Sequence, residues 1–307
     1  MLGGQAPWGL FSLERKGRLV DWESGRRSDN VEDRRGVGRP VAVGGGLTIV
    51  ILLVGWFFGV DPSQLLQLLS QTGSDSTSTS TVTSTAPVKG SPQEARQKDF
   101  VSVVLASTED TWKPLLAARG ITYAPPKLVL FRGSVDSGCG FAEAASGPFY
   151  CPLDQHVFLD LSFFDELTRR FGAPGEFAEA YVVAHEVGHH VQEQLGIFAK
   201  TDAIRRQGDR ALANHTSVLL ELQADCFAGV WANQANKRQR MLEPGDTEAG
   251  LRAASAIGDD TIQKRARGYV VPESFTHGTS QQRVTWFSRG LQQGKLEACD
   301  TFAAANP

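Results

Sequence analysis

The chain has 307 residues, 41 % of them hydrophobic, with a formal net charge of −3 and a sequence pI near 6.1. That is room for one large domain with additional segments, not for several sizeable ones. A weakly acidic chain with no basic tract interleaved with aromatics lacks the footprint of a nucleic-acid binder, and nucleic acid is not an expected partner.

Residues 1–40 are polar, and Arg26, Arg27, Arg34, Arg35 and Arg39 crowd toward their end. Val41–Val60, VAVGGGLTIVILLVGWFFGV, carries no charge and has the length of a membrane-crossing helix. Its triple glycine is tolerated in membrane helices. The polar stretch before it is too long, and the residues after it too poor in cleavage signals, for a removable leader. The arginine bias predicts a single pass with the N-terminus (1–40) cytoplasmic and the remainder extracytoplasmic. Residues 61–93 are dominated by Ser and Thr and read as a disordered linker. Four cysteines, Cys139, Cys151, Cys226 and Cys299, are too far apart for a Cys-x-x-Cys site. In an oxidising compartment they can pair as Cys139–Cys151 and Cys226–Cys299; the other two pairings and four free thiols stay open.

Residues 94–307 form one domain of ordinary size. EARQKDFVSVVLASTEDTWKPLLAARG predicts a helix ending at Gly120. KLVLF (Lys127–Phe131) and HVFLDLSF (His156–Phe163) have the β-branched and aromatic content of strands. FDELTRRFG is a short helix stopped by Gly172. A longer helix runs from about Glu176 to Leu195, with Gly196 as its stop, and Ser217–Ala232 is another. Strands precede helices instead of alternating with them, which predicts an α+β fold.

The long helix contains AHEVGHHVQEQLG. His185 and His189 lie four residues apart, on one helical face, and can bind one metal ion together. Glu186, turned aside, can reach a water on that ion without being a ligand. A pair of exposed helix histidines would satisfy so short a pattern as well, so a third ligand decides the matter. Glu221 and Asp225 repeat the four-residue spacing in the next helix, and Glu221 sits among leucines, where a carboxylate needs a cation. Asp225 can then accept from the second nitrogen of a ligating histidine. Two solvated acids on a helix face are the plainer alternative.

HEVGHH followed by ELQAD resembles the gluzincin pattern HExxH plus ExxxD. Together with SDNVEDRRG, SGCGFAEAASGPFYCPLD, LELQADCFAGVWA, GDDTIQKRARG and FTHGTSQQRVTWF, it makes the chain similar to the bacterial neutral zinc metallopeptidase family over nearly its whole length. The family begins near a tryptophan like Trp22, so residues 1–20 read as an extension. The resemblance implies a zincin-like domain in a bacterial cell membrane, with Zn2+ held by His185, His189 and Glu221, and Asp225 behind them. It implies an endopeptidase acting on peptide or protein substrates through a metal-activated water, with Glu186 as general base. VFLDLSFF would be the sheet edge that receives the substrate as an added strand. His277, in THGTSQQRV, is similar in context to the Thr-His-Pro signature of membrane gluzincins and is the candidate oxyanion donor, although glycine replaces proline here.

Among other polar residues, Arg283 reads as a structural ion-pair partner and His190 as turned away from the ligand face. His156 and His215 read as ordinary positions. Asp259 and Asp260, adjacent in a helix, diverge too much to share one task. Two rival readings keep the same ligands: a hydrolase of a non-protein substrate, and a non-catalytic binding or assembly protein, which would be expected to have lost Glu186 or a ligand. A closed structural zinc site would recruit a fourth protein ligand, for which Cys226 is the nearest cysteine.

Overall fold

The computed structural model describes residues 22–36, 90–144, 147–205 and 208–304. The apolar run 41–60 and the linker up to residue 89 lie outside the described residues. Among the described residues no helix is long and apolar enough to cross a membrane.

Four strands form one sheet: β1 (Val31–Asp33), β2 (Lys127–Phe131), β5 (Phe149–Cys151) and β6 (His156–Asp160), in the order β1-β2-β6-β5. β1, β2 and β6 run parallel, and β5 is antiparallel to β6. Two short strands, β3 (Ser134–Ser137) and β4 (Gly140–Glu143), make a separate hairpin. Alternation of side chains divides the sheet's residues between two faces. Leu128, Leu130, Val157 and Leu159 enter the main core with the helices. Val129, Phe131 and Phe158 join a smaller cluster with Val135 and Cys151.

Nine helices of α type follow or flank the strands among the described residues: α1 (Pro92–Ala117), α2 (Ser162–Arg169), α3 (Glu176–Gln194), α4 (Ile197–Arg205), α5 (Arg210–Gln239), α6 (Asp246–Ala256), α7 (Asp259–Arg267), α8 (Ser280–Gln293) and α9 (Thr301–Ala304). The arrangement is α+β. Ser91 caps α1 in a reciprocal box with Glu94, and Pro92 stands at its first position, so the folded domain starts before residue 94. The predicted strand His156–Phe163 is a strand only as far as Asp160. The Asp160 carboxylate then accepts from the Ser162 amide, and α2 begins.

VFLDLSFF is not the sheet edge. β6 lies between β2 and β5; the edges among the described residues are β1 and β5, and β5 is too short and too close to glycine and proline to stand out as a strand.

The N-terminal segment also departs from expectation. β1 pairs in register with β2, Val31 opposite Leu128 and Asp33 opposite Leu130. Trp22 is buried, meets Phe100 edge-on at 5.4 Å between ring centroids and donates to Glu176. Arg26 pairs with Glu109 and Asp110, Arg27 with Asp99, and Lys98 with Asp33. Residues 22–34 therefore belong to the same compact unit as residues 90–304. The stretch read as a separate segment 1–40 thus contributes a strand to the domain's own sheet, residues 31–33 lying against 128–130. The arginines that suggested a cytoplasmic flank are, at 26 and 27, partners of the domain's own carboxylates.

Both expected disulfides form. Cys139–Cys151 ties the β3–β4 turn to the edge strand, and Cys226–Cys299 ties α5 to the 3-10 turn Leu296–Cys299.

Candidate metal centre

Helices α3 and α5 meet because glycine lets them. A Cβ at Gly188 would lie 3.1 Å from the Ala224 carbonyl oxygen and 3.2 Å from its Cα. α5 is a 30-residue helix capped by Asp209, which accepts from the amides of Ala211 and Leu212, with Lys237 and Arg238 in its last turn against the helix dipole. α8 packs on α5 more closely still: a Cβ at Gly290 would lie 2.0 Å from the Cys226 carbonyl oxygen, and one at Gly229 2.2 Å from that of Phe287. Three helices are thus held at backbone distance around the site.

His185 and His189 project from successive turns of α3 toward Glu221 of α5. His185 Nε2 is 3.2 Å from Glu221 Oε2, and His189 Nε2 is 3.4 Å from Glu221 Oε1. One ligand atom from each of the three residues lies within 4.8 Å of the others. Two ligands ~2.1 Å from a tetrahedral ion stand about 3.4 Å apart, so the observed spacing fits zinc, as does the N2O donor set. Asp225 accepts from His185 Nδ1 at 3.0 Å, which leaves Nε2 facing Glu221. Asp225 is fully buried and also accepts from Tyr181 Oη and, bidentately, from Arg283 at 2.8 and 2.9 Å. Arg283 is therefore the ion-pair partner expected, but its partner is the carboxylate behind the ligands, and it lines the same cavity as they do.

Without a cation the three groups hold one another by charge. Burial works against ionising His185, yet hydrogen bonds to Asp225 and Glu221 outweigh it and raise its pKa. Burial likewise disfavours the Glu221 carboxylate, but His189 and His185 hold it well below the usual range. A metal bound here would have to compete with a proton on His185. Glu186 is buried beside this group, and burial raises its pKa, the direction that suits a general base working near neutrality.

These side chains open into a cavity of about 850 Å³. One wall is the edge strand and the residues after it, Phe149, Tyr150, Pro152 and Leu153; Phe163, Phe171, Phe198 and Ile262 add apolar surface. His277 lines the same cavity with its side chain half exposed. It is placed there by Asp259, at the start of α7. One Asp259 oxygen accepts from the backbone amides of Thr276, His277 and Gly278, and the other lies 3.1 Å from His277 Nδ1. That bond raises the pKa of His277. Asp260 instead accepts from the amide and hydroxyl of Ser280, so the two acids do diverge, but Asp259 belongs to the site. The sequence offered one hint of it, Gly258 before the acidic pair, where a Cβ would strike Ser280.

His190 is buried and turned from the ligands. Its Nε2–H donates to the Ala124 carbonyl and its Nδ1 accepts from Tyr150 Oη, so it ties the edge strand to α3. His156 stands at the start of β6, and His215 is exposed within α5, just before its first buried residue, Thr216. Cys226 is disulfide-bonded and gives the metal no fourth protein ligand.

Two imidazoles one turn apart, a carboxylate from a second helix and a glutamate beside the first imidazole define the HExxH-plus-glutamate class of zinc centre. The family model described as "Putative neutral zinc metallopeptidase" matches residues 20–302, and the chain belongs to that family. It is 46% identical over 292 residues to the Escherichia coli K12 protein named Uncharacterized protein YpfJ, covering 92% of this chain and 98% of that one. It is 45% identical over 210 residues to Uncharacterized protein Rv2575 of Mycobacterium tuberculosis H37Rv, covering 65% of this chain and 69% of the relative. No solved structure matches the chain.

Proposed function

We propose that the protein is a zinc-dependent endopeptidase that hydrolyses peptide bonds in extended segments of peptide or protein substrates. The observation that carries this reading is the convergence of His185, His189 and Glu221, with Glu186 beside them, on a cavity walled by an edge strand. The free side of β5 offers backbone groups to which an extended peptide can add as a further strand. The apolar cavity lining favours a peptide with bulky side chains.

Zinc held by His185, His189 and Glu221 would polarise the scissile carbonyl and lower the pKa of a bound water. Glu186, beside the ligands, is placed to accept a proton from the attacking water and pass it to the leaving amine. His277, its Nδ1–H directed to Asp259, presents Nε2–H to the oxygen on which charge develops. Asp225 and Arg283 hold the His185 ring and exclude water behind it. The two disulfides support an extracytoplasmic, oxidising setting for the whole unit, residues 22–34 included.

The test is zinc content and peptide hydrolysis of the full chain, wild type beside Glu186→Gln. The variant should keep its zinc and lose about 10²–10⁴-fold in rate, the usual share of a general base. Equal activity in the two proteins refutes the mechanism.

A further inference from the structure

Each ligand histidine has a second ring nitrogen, and what holds it decides which nitrogen is left for a metal. For His185 that partner is Asp225. For His189 it is Gln192, whose Oε1 lies 2.9 Å from His189 Nδ1. An amide end can in principle face either way, but here its orientation is fixed. Gln192 Nε2 donates to the Leu220 carbonyl at 2.7 Å, and a carbonyl can only accept. The same Nε2 donates to Gln223 Oε1 at 3.1 Å, and Gln223 Nε2 donates to the Cys299 carbonyl at 2.9 Å. Two backbone carbonyls thus orient two amides, and Oε1 of Gln192 must be the atom that faces the ring. His189 then has to donate from Nδ1, and Nε2, 3.4 Å from Glu221 Oε1, is the nitrogen left for a metal. Gln192 is fully buried and Gln223 nearly so, so water does not compete for these groups.

We propose that Gln192 is a positioning residue for the metal ligand His189, and that the chain Cys299–Gln223–Gln192 presets the ligand's tautomer before any metal arrives. The assignment of a metal-binding role to Gln192 rests on the reading of His189 as a ligand. The far end of the chain is anchored covalently: Cys299 is bonded to Cys226, three residues along α5 from Gln223. One ligand of the metal is therefore hydrogen-bonded through two side chains to the turn that the disulfide holds in place. The other route from the disulfide to the site runs through Asp225, the neighbour of Cys226.

The experiment uses the full chain stripped of metal. Imidazole nitrogen NMR reads the tautomer of His189, and competition with a chelator reads zinc affinity. In the wild type, His189 should be protonated on Nδ1 in the absence of metal. Gln192→Leu should lose that preference and bind zinc about 10–100-fold more weakly, with the His185 tautomer unchanged. Gln223→Leu should cost less, because the Leu220 carbonyl still orients Gln192. Gln192→Glu, which retains an acceptor toward Nδ1, should keep the tautomer, and so judges the proposal even if the leucine variant fails to fold. A metal-free wild type with His189 Nδ1 unprotonated, or a Gln192→Leu protein with unchanged Nδ1 protonation and zinc affinity, overturns the proposal. A wild type that shows the expected tautomer and binds no zinc overturns the metal reading and leaves the hydrogen-bond chain standing.

Discussion

Substituting alanine at Gly290 tests the claim that backbone contact between α5 and α8 holds the centre together. The new Cβ would lie 2.0 Å from the Cys226 carbonyl oxygen, while ordinary contact begins at 3.4 Å, so the helices must part by 3.4 − 2.0 = 1.4 Å. No flexible side chain can yield, since the opposing atoms are backbone. Overpacking of this kind costs about 1–3 kcal/mol. Arg283 lies two turns earlier on α8, bound to Asp225 at 2.8 and 2.9 Å, and a displacement that large breaks both bonds. Breaking a buried ion pair costs a further ~3–5 kcal/mol, because one charge is left without its partner. Together these approach the whole stability of an ordinary domain, about 5–15 kcal/mol. At roughly 2–4 °C per kcal/mol, Tm should fall by about 10 °C or more. The assay is a thermal melt of the full chain together with zinc content after dialysis, and both should drop. A variant that melts within about 2 °C of wild type and keeps its zinc refutes the reasoning, since the helices would then not be held at the distance described.

Asp259→Asn should leave zinc content unchanged and reduce kcat more than KM, with the His277 pKa falling in an NMR titration; an unchanged kcat removes His277 from the reaction. Replacing Cys226 and Cys299 together by alanine should destabilise the fold by about 4 kcal/mol in the chain-entropy model, since the pair closes a separation of 73 residues. Denaturant melts measure that loss, and no change in midpoint contradicts it. Burial, with Glu176 and Asp165 nearby, pushes the Glu179 pKa up to about 8, and burial takes Asp246 up to about 7. Their folded pKa values lie above the unfolded ones, so the stability they favour is full below about pH 4 and is lost as pH rises through 7 and 8. Tm should therefore decline across neutrality, and Glu179→Gln should flatten that decline; an identical pH profile in the variant rules Glu179 out as its source.

The candidate metal triad was legible because His185 and His189 sit one turn apart, as do Glu221 and Asp225, and helical spacing alone brings each pair together. The strand that walls the cavity was not. Phe149–Cys151 has three residues, too few for a periodicity, and its role comes from pairing with β6. β1 was hidden more deeply, since Val31–Asp33 holds two acids in an arginine-rich stretch and becomes a strand only against β2. Asp259 and Gln192 escaped for different reasons. The first meets His277 across 18 residues of chain, and the second bears no charge, so neither burial nor titration logic draws attention to it.

The placement of β1 makes the folded unit one body built from two separate stretches of chain. The chain leaves the sheet after Asp33 and re-enters the same body at Gly90, so one cut between those points separates nothing that the fold does not already hold by contact. What remains is a noncovalent pair: a short N-terminal peptide anchored by Trp22, its arginines and three residues of sheet, and a large fragment with an open strand edge. Cleavage between residues 34 and 90 would make the integrity of the domain depend on concentration, where in the intact chain it does not.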